Sequence, residues 1–252
     1  MNSQKSFYEA TGRKRLVQRD LRRVKRWYMY NYSRILPPSK TALIVDLGCS
    51  DGLAMEWLAE LGYQNLYGID SDEVAIVVAR NSLRERVPAD HFVVADLLEF
   101  IYSCDEDSVQ LFLMNDIIEH LSKEYLLTLI PEIHRVLSPG GTLVVKTGNM
   151  ENPFNLGLFA RDFTHEILFA TSSLRQLMIR CGFDPTRIET GGIGYPTTIR
   201  NWPLKLSTFL AGWAIKGIAR AMNLRIQETS SLIYCFARKS EPRSKEQNAA
   251  AL

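Results

Sequence analysis

After Pro37-Pro38 the chain alternates short apolar runs with stretches of helical periodicity, and this alternation constrains its fold more than any other feature. Apolar runs at 42–47, 65–69, 91–95, 109–114 and 142–146 read as strands, and the intervening segments 53–61, 72–83 and 123–137 read as helices. Neighbouring parallel strands need a long crossover, so five β/α steps predict a doubly wound α/β sheet. Ser138-Pro139-Gly140-Gly141 has turn composition between the last helix and the fifth strand. Beyond it lie a polar and aromatic loop at 148–161, a helix at 172–181 stopped by Gly182, and a strand at 187–190. Gly191-Gly192 opens an insertion to about residue 227, rich in Trp, Leu and Ile, before a last strand at 231–238. The expected organisation is a basic helical segment over 1–39, one α/β domain over 40–239 and a fraying polar tail over 240–252.

A chain of 252 residues with 46% apolar content can bury a substantial core. The four cysteines, Cys49, Cys104, Cys181 and Cys235, are dispersed and form no C-x-x-C pair, so neither a disulfide framework nor a metal site is expected. A reducing cytoplasm suits them. The polar first ten residues lack a signal-peptide core, and no 18-residue uncharged apolar run exists, so any membrane contact is expected to be peripheral. Charge is unevenly placed: residues 1–40 hold eleven basic and two acidic residues, net +9, in a chain of net +2. Between Arg13 and Arg34 a helical pattern puts Leu16, Val17, Leu21, Val24 and Tyr28 on one side and Arg15, Arg19, Arg22, Arg23 and Arg26 on the other. That pattern fits a helix gripping phosphates or anionic lipid, and equally a docking helix with a solvated charged face.

The most informative segment is Ile44-Val-Asp46-Leu-Gly48-Cys49-Ser50-Asp51-Gly52, an apolar strand ending in an acid and then a glycine-bounded turn. Gly48 and Gly52 permit positive φ and close ligand approach. The second strand ends at Asp70, followed by Ser71, where a carboxylate can bind two ribose hydroxyls. The turn departs from G-x-G-x-x-G, and Asp46 and Asp51 would repel a diphosphate, which favours a nucleoside without phosphates.

These residues resemble the class I S-adenosylmethionine-dependent methyltransferases over roughly residues 42–183, with Val45-Asp-Leu-Gly-Cys-Ser-Asp-Gly52 as the most specific motif. The matches continue through Asp70, Ala95-Asp96-Leu97, Asn115-Asp116-Ile117-Ile118-Glu119-His120-Leu121 and Val136-Leu-Ser-Pro-Gly-Gly141. The resemblance implies a Rossmann-like seven-stranded sheet with an N-terminal helix and a helical insertion before the last strand. It also implies that S-adenosyl-L-methionine is the cofactor. Asp46 and the turn of Gly48, Cys49, Ser50 and Gly52 would hold its methionine part, Asp70 and Ser71 its ribose, Asp96 and Leu97 its adenine, and the Asn115 backbone its amino group.

Methyl transfer to a hydroxyl needs alignment and a base. Asp116, Glu119, His120, Asp162, His165 and Glu166 are the titratable candidates near the strands' carboxyl ends, and His165 leads because imidazole accepts a proton near neutral pH. His120, in a sequence similar to the D/E-x-x-E-H motif of quinone O-methyltransferases, either faces substrate or braces its loop; His91 and His134 read as structural. No N/D-P-P-Y/F motif, paired cysteine nucleophiles or clustered metal-binding acids are present. Lys146 and Asp116 match half of a Lys-Asp-Lys-Glu ribose methyltransferase, but Leu232 and Ile233 stand where its glutamate belongs. A looser similarity of 162–183 to envelope-polysaccharide methyltransferases, with the apolar helical pattern at 202–222, points to a small-molecule, sugar or lipid-linked hydroxyl acceptor. Peripheral membrane contact would run through 13–34 or 202–222 at the inner face of a membrane, and a homodimer is an alternative use of that helix. The rival readings are a nucleic-acid methyltransferase, disfavoured, and a non-catalytic scaffold of the same fold.

Overall fold

A computed structural model describes residues 21–194 and 202–241, and expectations for residues 1–20, 195–201 and 242–252 lie outside them. Seven strands form one sheet in the order β3-β2-β1-β4-β5-β7-β6, where β1 is Leu43–Leu47, β2 Asn65–Asp70, β3 Phe92–Val94, β4 Val109–Asn115, β5 Leu137–Gly148, β6 Ile188–Gly192 and β7 Leu232–Arg238. Strands β1 to β5 run parallel, and β7 lies antiparallel between β5 and β6. The chain steps outward from β1 in one direction and from β4 in the other. Their junction is the switch point at which open α/β sheets present a crevice at the strands' carboxyl ends.

Alternation along the central strands feeds two cores. Val45, Phe112 and Val145 point to one face, covered by α4 (Leu97–Tyr102), α5 (Lys123–Val136) and α7 (Thr171–Arg180). Ile44, Leu111 and Val144 point to the other, covered by α1 (Leu21–Tyr32), α2 (Leu53–Glu60) and α3 (Glu73–Leu83). Helix α1 is the described part of the basic N-terminal segment. Its Trp27, Tyr28 and Tyr32 are buried, Tyr28 stacking on Trp57 at 5.2 Å and Tyr32 meeting the edge of Phe236 at 6.2 Å, while Arg22, Arg23 and Arg26 stay exposed.

Two boundaries and one helix differ from the sequence reading. Leu137-Ser-Pro-Gly-Gly141 is the start of β5 and not a separate turn, because Leu137 pairs with Val109 and the register then shifts, absorbing the extra residues as a bulge. Gly191-Gly192 ends β6, so the insertion begins after it. Helix α4 was not anticipated, since six residues are too few to carry a periodic signal.

The insertion holds α8 (Trp202–Ala221). Gly148 pairs with Leu232 and Gly192 with Ile233, so this excursion leaves and returns at the same edge that carries Gly48, Asp70 and Asn115. A four-residue helix, α6 (Leu156–Phe159), lies in the loop after β5. No helix among the described residues is long and apolar enough to cross a membrane.

Candidate active site

The β1 turn is held by its neighbour strand. Gly48 and Cys49 both donate to the Ile69 carbonyl, and Asp70 accepts from the Ser50 amide at 2.8 Å and the Asp72 amide at 2.9 Å. Gly48 (φ 76), Ser50 (φ 49) and Gly52 (φ 80) take left-handed conformations. The two glycines also answer to packing: a Cβ on Gly48 would sit 2.9 Å from Ile117, and one on Gly52 2.9 Å from Leu83. The positive φ is as the sequence reading expected, and packing against Ile117 and Leu83 is a further requirement it did not contain. Cys49 turns its thiol into the core against Gly68, so only its backbone faces the edge. Ser71 is exposed beside Asp70.

Asp46 is buried at the end of β1. Burial, reinforced by the Asp70 charge and opposed by Lys146, raises its pKa to about 7. Asp96 caps α4, its Oδ1 accepting from the Leu98 and Glu99 amides and from the Tyr125 hydroxyl at 2.8 Å. Those three donors converge on one oxygen, which leaves Oδ2 outside the cap; Leu97 is buried beside it.

Asn115 ends β4 with its side chain fixed by α1: the Tyr32 hydroxyl donates to Oδ1 at 2.6 Å, while the buried Nδ2 has no partner among the described residues. Asp116 adopts positive φ (54) and pairs with Lys146, whose ammonium lies 5.3 Å from the Trp27 ring centroid. Sequence reasoning missed Tyr32 because its partner is 83 residues away.

Beyond β4 the chain brings His120 and His165 together, ring centroids 4.6 Å apart. Residues 166 and 167 donate backbone amides to the Glu119 carbonyl, which pins the later loop onto the turn after β4. His165 Nδ1 lies 3.0 Å from the Phe159 carbonyl, and His120 Nδ1 2.8 Å from Thr164 Oγ1. Glu119 is buried, and burial together with the Asp116 charge raises its carboxyl to about 7. Asp162 is buried and bonds Thr164, and Glu166 is exposed. His91 stacks on Tyr67 and His134 meets Phe183 edge-on, both away from this edge.

The amides of Asn149, Asn152 and Asn155 donate to backbone carbonyls at 228–231, fastening the foot of the insertion to the loop after β5. Helix α8 above it buries only Gly212 and Ala219, and leaves Trp202, Phe209 and Trp213 at 59%, 62% and 70% exposure.

Residues 44–141 match the family model described as a methyltransferase domain. Ribosomal protein L11 methyltransferase from Desulforapulum autotrophicum is 27% identical over 127 residues, a match spanning 46% of this chain and 40% of that protein's length. Among solved structures, an S-adenosylmethionine-dependent methyltransferase from Archaeoglobus fulgidus superposes with a TM-score of 0.65 at 17% identity, covering 87% of this chain and 94% of that one. Phosphoethanolamine N-methyltransferase 2 from Haemonchus contortus, in complex with S-adenosyl-L-methionine, gives a TM-score of 0.54 at 20% identity, covering 83% of this chain and 51% of that one. Residues 44–141 thus match a methyltransferase domain, and the sheet that holds them has the fold of the S-adenosylmethionine-dependent methyltransferase from Archaeoglobus fulgidus.

Proposed function

We propose that this protein binds S-adenosyl-L-methionine and methylates a hydroxyl of a small-molecule, sugar or lipid-linked acceptor. The observation that carries the cofactor half is the row of acids along the carboxyl edge, Asp46 in β1, Asp70 ending β2 and Asp96 after β3, in a sheet whose β4 ends at Asn115 with a buried amide that has no partner among the described residues. Carboxylates there suit a cationic, phosphate-free nucleoside and repel a dinucleotide, and the unmatched Asn115 donor suits an acceptor such as the carboxylate of an amino-acid end. Asp46, Gly48, Cys49 (through its backbone), Ser50 and Gly52 would hold the amino-acid end, Asp70 and Ser71 the ribose, Asp96 and Leu97 the base, and Asn115 the amino-acid end from the β4 side. When bound, the cofactor supplies a methyl group on a sulfonium: the acceptor oxygen bonds to carbon, the carbon–sulfur bond breaks with its electron pair left on sulfur, and the hydroxyl proton goes to a base.

His165 fills the part of base. Its Nδ1 faces a carbonyl, which can only accept, so Nδ1 carries the proton and Nε2 has the lone pair. His120, 4.6 Å away ring to ring, packs against it and would face the acceptor beside it, and Asp116 is held by Lys146 as a positioning charge. For a lipid-linked acceptor the supporting observation is α8. It rises from the same edge, carries Lys205, Lys216 and Arg220 and no acid, and turns Leu206, Leu210 and Trp213 away from the domain. A helix so built lies in an anionic bilayer surface with its apolar side down.

The test is transfer of labelled methyl from the cofactor to soluble and membrane extracts of the source cell. Label should appear in an alkali-stable ether. His165→Ala should cut turnover by about 10²–10⁴ at unchanged affinity for S-adenosylhomocysteine, and label found only on nitrogen, carbon or carboxylate would sink the hydroxyl assignment.

A further inference from the structure

Glu119, His120 and His165 each offer one donor atom, and these three atoms lie within 4.8 Å of one another. Their surroundings are those of ligands. The Phe159 carbonyl fixes the proton of His165 on Nδ1. The Thr164 hydroxyl donates to Asp162 at 2.7 Å, so its oxygen accepts from His120, and that ring too keeps its proton on Nδ1. Imidazoles held in this way by a carbonyl and by a hydroxyl–carboxylate relay have the outer-shell arrangement that orients metal-bound histidines through Nε2. The third member is more telling: Glu119 is 7% exposed, and its Oε2 is buried with no hydrogen-bond partner among the described residues. A buried carboxylate oxygen left unmatched beside two such rings calls for a cation.

We propose that Glu119, His120 and His165 bind a divalent transition-metal ion that in turn holds the acceptor hydroxyl. Two neutral imidazoles and one carboxylate favour zinc, manganese or iron(II) over magnesium or calcium, and three protein ligands leave positions open for a substrate oxygen. Metal–ligand bonds of about 2.0–2.2 Å bring neighbouring donor atoms to roughly 3–3.5 Å apart, so the side chains close in slightly on binding. The inference rests on reading this edge as the acceptor side. Ion binding replaces the base role proposed above for His165: the ring becomes a ligand, coordination acidifies the hydroxyl, and the displaced proton goes to solvent.

The experiment titrates the full chain, stripped with a chelator, with cobalt(II), zinc and manganese alone, following the cobalt d–d absorption and calorimetric heat. One site per chain is expected, weakened at least about 10-fold by His120→Ala, His165→Ala and Glu119→Gln, with S-adenosylhomocysteine affinity retained as the control for folding. No cobalt band, or binding indifferent to all three substitutions, overturns the site. Full hydroxyl methylation by the stripped enzyme overturns the metal's role and leaves His165 as base. A bound metal with transfer only to non-hydroxyl acceptors keeps the site and overturns the function proposed above.

Discussion

Asp46 lies at the meeting point of β1 and β4 with Asp70 and Lys146 as its charged neighbours, and its carboxyl titrates near 7 against an ordinary 3.8. The sign of the resulting pH dependence follows from the proton count: between pH ~4 and ~7 the unfolded chain has lost this proton and the folded one keeps it, so stability falls as pH rises through that window. Asp46→Asn should flatten that part of the profile in denaturant titrations from pH 4 to 8, and an unchanged slope would show that Asp46 ionises normally. Tyr32 is the second residue whose role is local and sharp. Tyr32→Phe strips the donor from Asn115 Oδ1 in a fully buried site and should lower stability by about 1–3 kcal/mol, with a matching loss of S-adenosylhomocysteine affinity by calorimetry. Asp70→Ala should weaken that affinity by about 1–3 kcal/mol, because it frees the Ser50 and Asp72 amides and removes the carboxylate proposed to bind the ribose. The acids at the strand ends were readable in the sequence because position along a strand fixes them. Tyr32, Thr164 and the convergence of Glu119 with His165 were not, since they depend on contacts between segments far apart in the chain.

Among the elements, α1 is where sequence and structure inform each other most. Its amphipathic pattern was evident, but whether the apolar side met a bilayer or its own domain was open; the structure places Trp27, Tyr28 and Tyr32 in the core beneath Trp57 and Phe236. Trp27→Ala should therefore cost about 3–5 kcal/mol, read as a shift in the urea midpoint, and deleting residues 1–30 should leave an unstable domain. A truncation that unfolds at the full-length midpoint would show that α1 only rests on the surface. The central strands were legible because each is a continuous apolar run. The bulged start of β5 escaped because Ser138-Pro139-Gly140-Gly141 has turn composition wherever it occurs, and only pairing with β4 holds it in the sheet.

At the scale of the whole molecule, the proposed donor and acceptor functions divide along one edge. The β1, β2 and β4 ends carry the residues proposed to hold the cofactor, and the segments after β5 and β6 carry the histidine loop and the insertion. The exposed side of α8 gives a prediction at this scale: Leu206→Glu with Leu210→Glu should abolish co-sedimentation with anionic vesicles and leave S-adenosylhomocysteine binding and thermal stability as they were, since both side chains face away from the domain. Retained sedimentation would assign that face to another occupant. The paired register of Gly192 with Ile233 has a wider consequence. The two feet of the excursion stand side by side in adjoining strands, so its length and content can drift between lineages without shifting a single rung of the sheet. Such a cassette, traded or shortened, would leave the sheet and the strand ends along its carboxyl edge as they are.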